Sequence, residues 1–186
     1  VCTHPPDMHI WKPIFYKDEI VAFSVGHIHN TDVGGAVPAS LSRSLTEVHQ
    51  EGIRMPPMKI LEKGVLNKKM LDVFLANVRA PEQNWGDLKA QIAACNTGER
   101  KVLDMISRFG IDVFREGVGD LLDYAEQQAR AIIRGLPDGE YDFSDYIDED
   151  SVNGWPCRIR LKLIIKGDGL VLDFTGSDPQ LESSLN

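Results

Sequence analysis

I-W-K-P-I-F-Y-K-D-E-I-V-A-F-S-V-G-H-I-H, residues 10–29, is the stretch whose reading decides the fold. Val21, Phe23 and Val25 share one strand face with His27 and His29, because side chains two residues apart point the same way. The run 10–16 upstream is rich in β-forming residues, with Pro13 tolerable at an edge or with its nitrogen facing outward. Lys17-Asp18-Glu19 between the two runs supplies a turn, so the segment reads as a β-hairpin. A three-residue loop pairs Tyr16 with Ile20. It sets Trp11, Pro13 and Phe15 opposite Val25, Phe23 and Val21, giving one continuous apolar face. A two-residue loop would bring Lys12 onto the Phe23 face, the poorer solution, although Glu19 is a weak choice where glycine is often wanted.

Working outward, the same register sets Asp7 near His29 and His4 near Asp32. The hairpin is thus flanked by two clusters of metal-type ligands, His4-Pro5-Pro6-Asp7 and His27-Ile28-His29-Asn30-Thr31-Asp32, and all five histidines of the chain fall within its first 49 residues. The prolines favour a polyproline conformation with three residues per turn, which would project His4 and Asp7 from one side. Imidazole with carboxylate suits Zn, Mn or Fe better than Ca or Mg, which prefer all-oxygen shells. Such an ion would polarise a carbonyl or lower the pKa of a bound water. In the competing reading His27 and His29 end a core face, and Asp7 and Asp32 cap loops. His9 and His49 carry no ligand pattern and are expected at the surface or beside the site. Glu47 and Glu51, four apart, could form a general acid/base pair, although one solvated helical turn is the commoner meaning of that spacing.

Beyond residue 32 the segment 33–64 is irregular, with Gly34-Gly35 and Pro56-Pro57 and a short strand at most near residues 58–61. A helix is expected over residues 67–79, capped by Asn67, and ends at Pro81. Two longer helices follow, over about 81–108 and 112–134, each with an apolar stripe assigned to core packing and joined as an antiparallel helical hairpin. Gly98 weakens the first of them. Strands are expected at residues 141–147, 157–166 and 170–175. The fold class is therefore α+β: an N-terminal β-hairpin with an irregular loop (1–66), a central helical region (67–136), and a C-terminal antiparallel β-meander (137–186). The acidic run 138–150 only partly mimics a calcium loop and reads as a solvated loop.

Composition narrows the classes. Hydrophobic content of 42% with charged content of 26% is that of a soluble globular chain. The net charge of −8 offers no basic field for nucleic acid or anionic membrane. No apolar run is long enough to span a bilayer. Cys2, Cys95 and Cys157 are widely spaced and form no C-x-x-C pair, as expected of reduced cysteines in a cytoplasmic protein. Neither a phosphate-binding G-x-x-x-x-G-K-[ST] loop nor a G-x-S-x-G elbow is present, so ATP is not expected to bind here. A first residue other than Met, so close to a motif, is expected of a piece of a longer polypeptide.

Five strings taken together, T-H-P-P-D (3–7), H-N-T-D-V-G-G (29–35), Q-E-G-I-R-M-P-P (50–57), L-A-N-V-R-A-P-E-Q-N-W-G-D-L-K-A-Q (75–91) and D-F-T-G-S (173–177), resemble the hydantoinase B/oxoprolinase family in order and from end to end. The resemblance implies a B-type subunit of a hetero-oligomer whose hydantoinase A-type partner uses ATP to activate a small substrate. This subunit would then hydrolyse an activated cyclic amide such as a hydantoin or 5-oxoproline. A subunit of an acetone- or acetophenone-type ketone carboxylase is the alternative, and a non-catalytic scaffold subunit the third. Carried over by position, His4, Asp7, His29 and Asp32 are the implied ligands of a divalent Zn, Mn or Fe ion. His27 is a possible additional ligand, and Glu51 a possible catalytic group beside it. The Pro5-Pro6 insert departs from the family pattern without altering a ligand.

Overall fold

The computed structural model describes residues 4–184. Its elements are β1 (Asp7–Tyr16), β2 (Glu19–His29), β3 (Leu61–Glu62), β4 (Val65–Leu66), α1 (Lys68–Ala76), α2 (Pro81–Phe109), α3 (Ile111–Arg134), β5 (Gly139–Ile147), β6 (Cys157–Lys166) and β7 (Gly169–Asp173). The expected α+β order of hairpin, central helices and three-stranded antiparallel sheet is what the chain adopts. By compactness it divides into two units, Val1–Asp104 and Met105–Asn186.

In the first unit β1 and β2 form the hairpin, with Trp11 opposite Val25, Pro13 opposite Phe23 and Asp7 opposite His29, as expected. The turn itself differs. Tyr16 pairs with Glu19 across a two-residue turn at Lys17-Asp18, and Lys17 has a positive φ of 54°. A register shift between Ile14 and Phe15 leaves Val21 without a cross-strand partner, a one-residue bulge that restores the expected pairing beyond it. The bulge reconciles the tight turn with the apolar register, a combination that a regular ladder cannot provide.

The apolar face exists but is not the buried one: Trp11, Phe23 and Val25 are 66%, 56% and 63% exposed. Helix α2 covers the opposite face, where Ala22, Ser24 and Gly26 are small enough to admit it. Gln91 Nε2 donates to the carbonyl of Met8 (3.0 Å), and the Cys95 thiol lies against the carbonyls of Ile10 and Ser24. Lys12 Nζ reaches Asn96 Oδ1 (2.8 Å) and Glu99 Oε2 (2.5 Å). Gly98, a defect in the helical pattern, faces Ser24 so closely that an added Cβ would stand 2.2 Å from its hydroxyl oxygen. The glycine costs the helix about 1 kcal/mol of propensity and permits this approach.

Asn67 caps α1 as expected, accepting from the Met70 amide at 3.2 Å. Phe74 and Val78 pack with Val33 in a small core flanked by Met8, Ile53, Met55 and Leu75. The short strand falls at Leu61–Glu62 rather than at residues 58–61, because Lys63-Gly64 makes a turn that pairs it with β4.

In the second unit the sheet has the order β5-β6-β7, with Gly167-Asp168 turning the last hairpin. Arg130 and Arg134 of α3 each reach Asp168 at 3.3 Å. The assignment of the α3 stripe to core packing is corrected by the structure: α3 contains no buried residue, with Leu121, Leu122 and Ile132 at least 66% exposed. The acidic run ends not in a solvated carboxylate but in a buried one. Asp150 accepts from the amides of Val152, Asn153 and Gly154, which close a loop on its side chain. Cys95 and Cys157 are both free and buried, and Cys2 lies outside the described residues. Among the described residues no helix is long and apolar enough to cross a membrane.

Candidate metal centre

Residues 4–7 do not extend as polyproline. The Asp7 amide donates to the His4 carbonyl (3.1 Å), closing a turn over Pro5-Pro6. A polyproline segment would advance about 9 Å over three residues; the turn instead folds the imidazole onto the carboxylate, with His4 Nε2 3.7 Å from Asp7 Oδ2. Asp7 opens β1 directly opposite His29, whose Nδ1 donates to Asp7 Oδ1 at 2.8 Å. His4, Asp7 and His29 thus offer ligand atoms that all lie within 4.8 Å of one another. The side chains of His4 and Asp7 are each 19% exposed and that of His29 52%, so the cluster has a sheltered floor and an open mouth.

This donor set fits a divalent transition ion. Ligands about 2.1 Å from a tetrahedral ion stand about 3.4 Å from each other, within reach of the spread here by side-chain rotation. Two imidazoles and one carboxylate also leave coordination positions for water or substrate. His27, on the same strand face as His29, has Nε2 3.7 Å from Asp7 Oδ1. His9 pairs with His27 across the hairpin and stacks on it, ring centroids 4.6 Å apart, so it stands beside the cluster rather than away from it.

The structure does not bring Asp32 to this cluster, and the expected approach of His4 to Asp32 is replaced by that of His4 to His29, with ring centroids 5.0 Å apart. Asp32 is buried, and its oxygens accept from the amides of Gly34 (2.8 Å) and Ala39 (2.8 Å) and from Arg79 Nη1 (3.1 Å). Burial alone would raise its pKa; the Gly34 and Ala39 amides and then the Arg79 guanidinium outweigh it and hold the carboxyl below its ordinary value of 3.8. A lowered native pKa gives stability that is present above the unfolded value and lost as pH falls through the native one. Between pH 5 and pH 2 the thermal midpoint of the wild-type protein is therefore expected to fall more steeply than that of Asp32→Asn, measured by circular dichroism. Parallel curves would show that Asp32 contributes nothing to acid sensitivity.

Glu51 ends a short 3-10 turn (Val48–Glu51) and is not a member of the cluster. Its neighbour Gln50 instead organises the segment: the Gln50 side-chain oxygen accepts from the Thr46 amide (2.8 Å) and its carbonyl accepts from Ala36 (2.7 Å).

One residue absent from the sequence-derived site, Asn30, bonds the turn to the strand end, and others brace the loop that follows. Asn30 donates to the Pro6 carbonyl from both its backbone (2.8 Å) and its side chain (3.0 Å). Gln83 donates to Thr31 Oγ1 (2.8 Å), Asn84 to the Asp32 carbonyl (2.9 Å), and Arg79 also reaches the carbonyls of Gly34, Gly35 and Val37. Gly34 and Gly35 have φ of 88° and 83°, and a Cβ on either would fall within 2.4 Å of a backbone oxygen, that of Asn77 or of Gln50. The one available signal is that Asn30 stands in the string of His29, while Arg79, Gln83 and Asn84 stand together in another of the five strings, 75–91.

The chain is thus mixed α+β, with His4, Asp7 and His29 gathered at one end of its hairpin. A family model described as hydantoinase B/oxoprolinase matches residues 1–186. The B-type subunit of a putative D-/L-hydantoinase from a Pseudomonas species is 35% identical over 96% of this chain and 31% of that protein. The crystal structure of the ATP-dependent caprolactamase from Pseudomonas jessenii superposes with a TM-score of 0.86 at 36% identity, over 97% of this chain and 31% of that one. The acetophenone carboxylase delta subunit of Aromatoleum aromaticum is 29% identical over 99% of this chain and 27% of that protein. The chain belongs to the hydantoinase B/oxoprolinase family. It spans less than a third of the length of each of these relatives.

Proposed function

We propose that this chain carries the metal centre of a B-type subunit that hydrolyses a cyclic amide activated by an ATP-using A-type partner in the cytoplasm. The observation that supports this reading most is the convergence of His4, Asp7 and His29 from a turn and two strands onto one volume. These three would hold a Zn, Mn or Fe ion, which when bound polarises a carbonyl or supplies a more acidic water. Asp7 is the hub, since His4, His27 and His29 all lie within 3.7 Å of its oxygens. His27 is placed to orient that carboxylate or to add a further nitrogen on the open side. In this reading Asp32 serves as a brace, and Glu51 stands outside the cluster.

A hydrolytic reading is preferred to carboxylation because the hydantoinase and caprolactamase relatives are 35% and 36% identical, against 29% for the carboxylase delta chain. The test is the full-length protein with its A-type partner and ATP, assayed on a hydantoin, caprolactam and 5-oxoproline, and in parallel on acetophenone with bicarbonate. ATP-dependent ring opening of one cyclic amide is expected. Carboxylation of the ketone, or loss of neither metal nor activity on dialysis against a chelator, would overturn the proposal.

A further inference from the structure

We propose that Asn30 is a positioning residue that sets the geometry, and so the metal affinity, of the His4/Asp7/His29 cluster. The inference rests on the metal reading of the site. Asn30 follows His29 directly and is only 3% exposed. Its side-chain amide and its backbone amide converge on the Pro6 carbonyl, which also accepts from Met8. Pro6 is fully buried and immediately precedes Asp7. Three donors on one carbonyl leave that peptide plane little freedom, and the fixed φ of two successive prolines transmits the restraint back to His4. Asn30 thereby ties the two halves of the cluster, the turn bearing His4 and Asp7 and the strand end bearing His29, with its side chain adding a second bond to the one its backbone makes.

The β-ladder alone does not supply this. Cross-strand pairing ends at Asp7 and His29, and His4 lies three residues beyond it on a turn. Without the Asn30 side chain the turn keeps its own hydrogen bond from Asp7 to His4 but loses one anchor to β2. The two sets of ligands then sample a wider range of separations, and an ion that needs about 2 Å to each donor selects a small part of it. Asn30 touches neither ion nor substrate in this scheme; it acts through Pro6.

The experiment titrates Co(II) into the full-length protein and its variants, following the visible ligand-field bands and the binding isotherm together. Asn30→Leu preserves the shape and removes the donor; Asn30→Ala removes it with less steric risk. Thr31→Val removes the neighbouring bond to Gln83 without touching the turn and serves as the structural control. For both Asn30 variants, folded by circular dichroism, a fall in affinity of about 10- to 100-fold and altered Co(II) bands are expected. Thr31→Val is expected to bind as wild type. Wild-type affinity and bands in a folded Asn30 variant would overturn the proposal, as would an equal loss in Thr31→Val. Failure of both Asn30 variants to fold would assign the residue to the fold and overturn it too. Absence of Co(II) binding by the wild type is the distinct result that removes the metal reading itself, and with it this role for Asn30.

Discussion

Asp7→Ala is expected to abolish stoichiometric divalent metal in the full-length protein while leaving it folded. Among the described residues Asp7 is the one carboxylate of the cluster and stands within 3.7 Å of three imidazoles, so under the proposed function its loss removes both a ligand and the charge that would compensate the ion. Asp7 lies at the end of the hairpin and outside the Val33, Phe74 and Val78 core, so the thermal midpoint of the metal-free protein should move by only a few degrees. His29→Ala should behave likewise, and His27→Ala should lose less, since His27 lies outside the three residues whose ligand atoms converge. The measurements are metal content by elemental analysis and activity with the A-type partner. Full metal occupancy in Asp7→Ala would refute the assignment, and wild-type activity would remove its catalytic meaning.

Asp32→Ala is expected to do the reverse: it should cost about 3 kcal/mol of stability, the order expected when buried amides lose a charged acceptor. Asp32 is buried, and the loss leaves the Gly34 and Ala39 amides without their acceptor and the Arg79 guanidinium with carbonyl partners in place of a carboxylate. Arg79→Ala should cost less, because its side chain is 42% exposed and the amides still satisfy the carboxylate. Arg79→Lys should not restore it: an ammonium is a point charge and cannot span Asp32 together with the carbonyls of Gly34, Gly35 and Val37. Urea unfolding gives all three values. A cost for Asp32→Ala below about 1 kcal/mol would show that the brace is dispensable.

The two aspartates look alike in sequence, each three residues after a histidine, and this is why the site is legible only in part. Strand periodicity and register are enough to place Asp7 against His29, because a two-residue period leaves one choice once the apolar face is aligned. Nothing periodic describes residues 30–40, whose path is set by side chains bonding to backbone: Asn30 to Pro6, Asp32 to Gly34 and Ala39, Arg79 to the glycine carbonyls. An Asp in such a turn bonds its own amides, and no local pattern separates that from an Asp aimed at an ion. The turn at His4-Pro5-Pro6-Asp7 escapes the sequence for a related reason, since local proline preference yields to the anchor at Pro6. The strings that carry the family resemblance make sense as contact partners. Residues 3–7, 50–57 and 75–91 each bond to the segment 29–36 through Pro6, Gln50 and Arg79. The helices are legible in length, and the exposed stripe of α3 is not, because periodicity identifies an apolar face without saying what covers it.

The unpaired Val21 separates two parts of the hairpin that are held under different geometric constraints. Slipping one strand past the other by a single residue would turn every side chain over and send Asp7 away from His29. A bulge close to the turn absorbs such a slip locally: the loop end can shorten or lengthen by one residue while the ladder from Ile14 and Ala22 outward keeps its pairing. Length variation at the tip of this hairpin is therefore decoupled from the chemistry at its base.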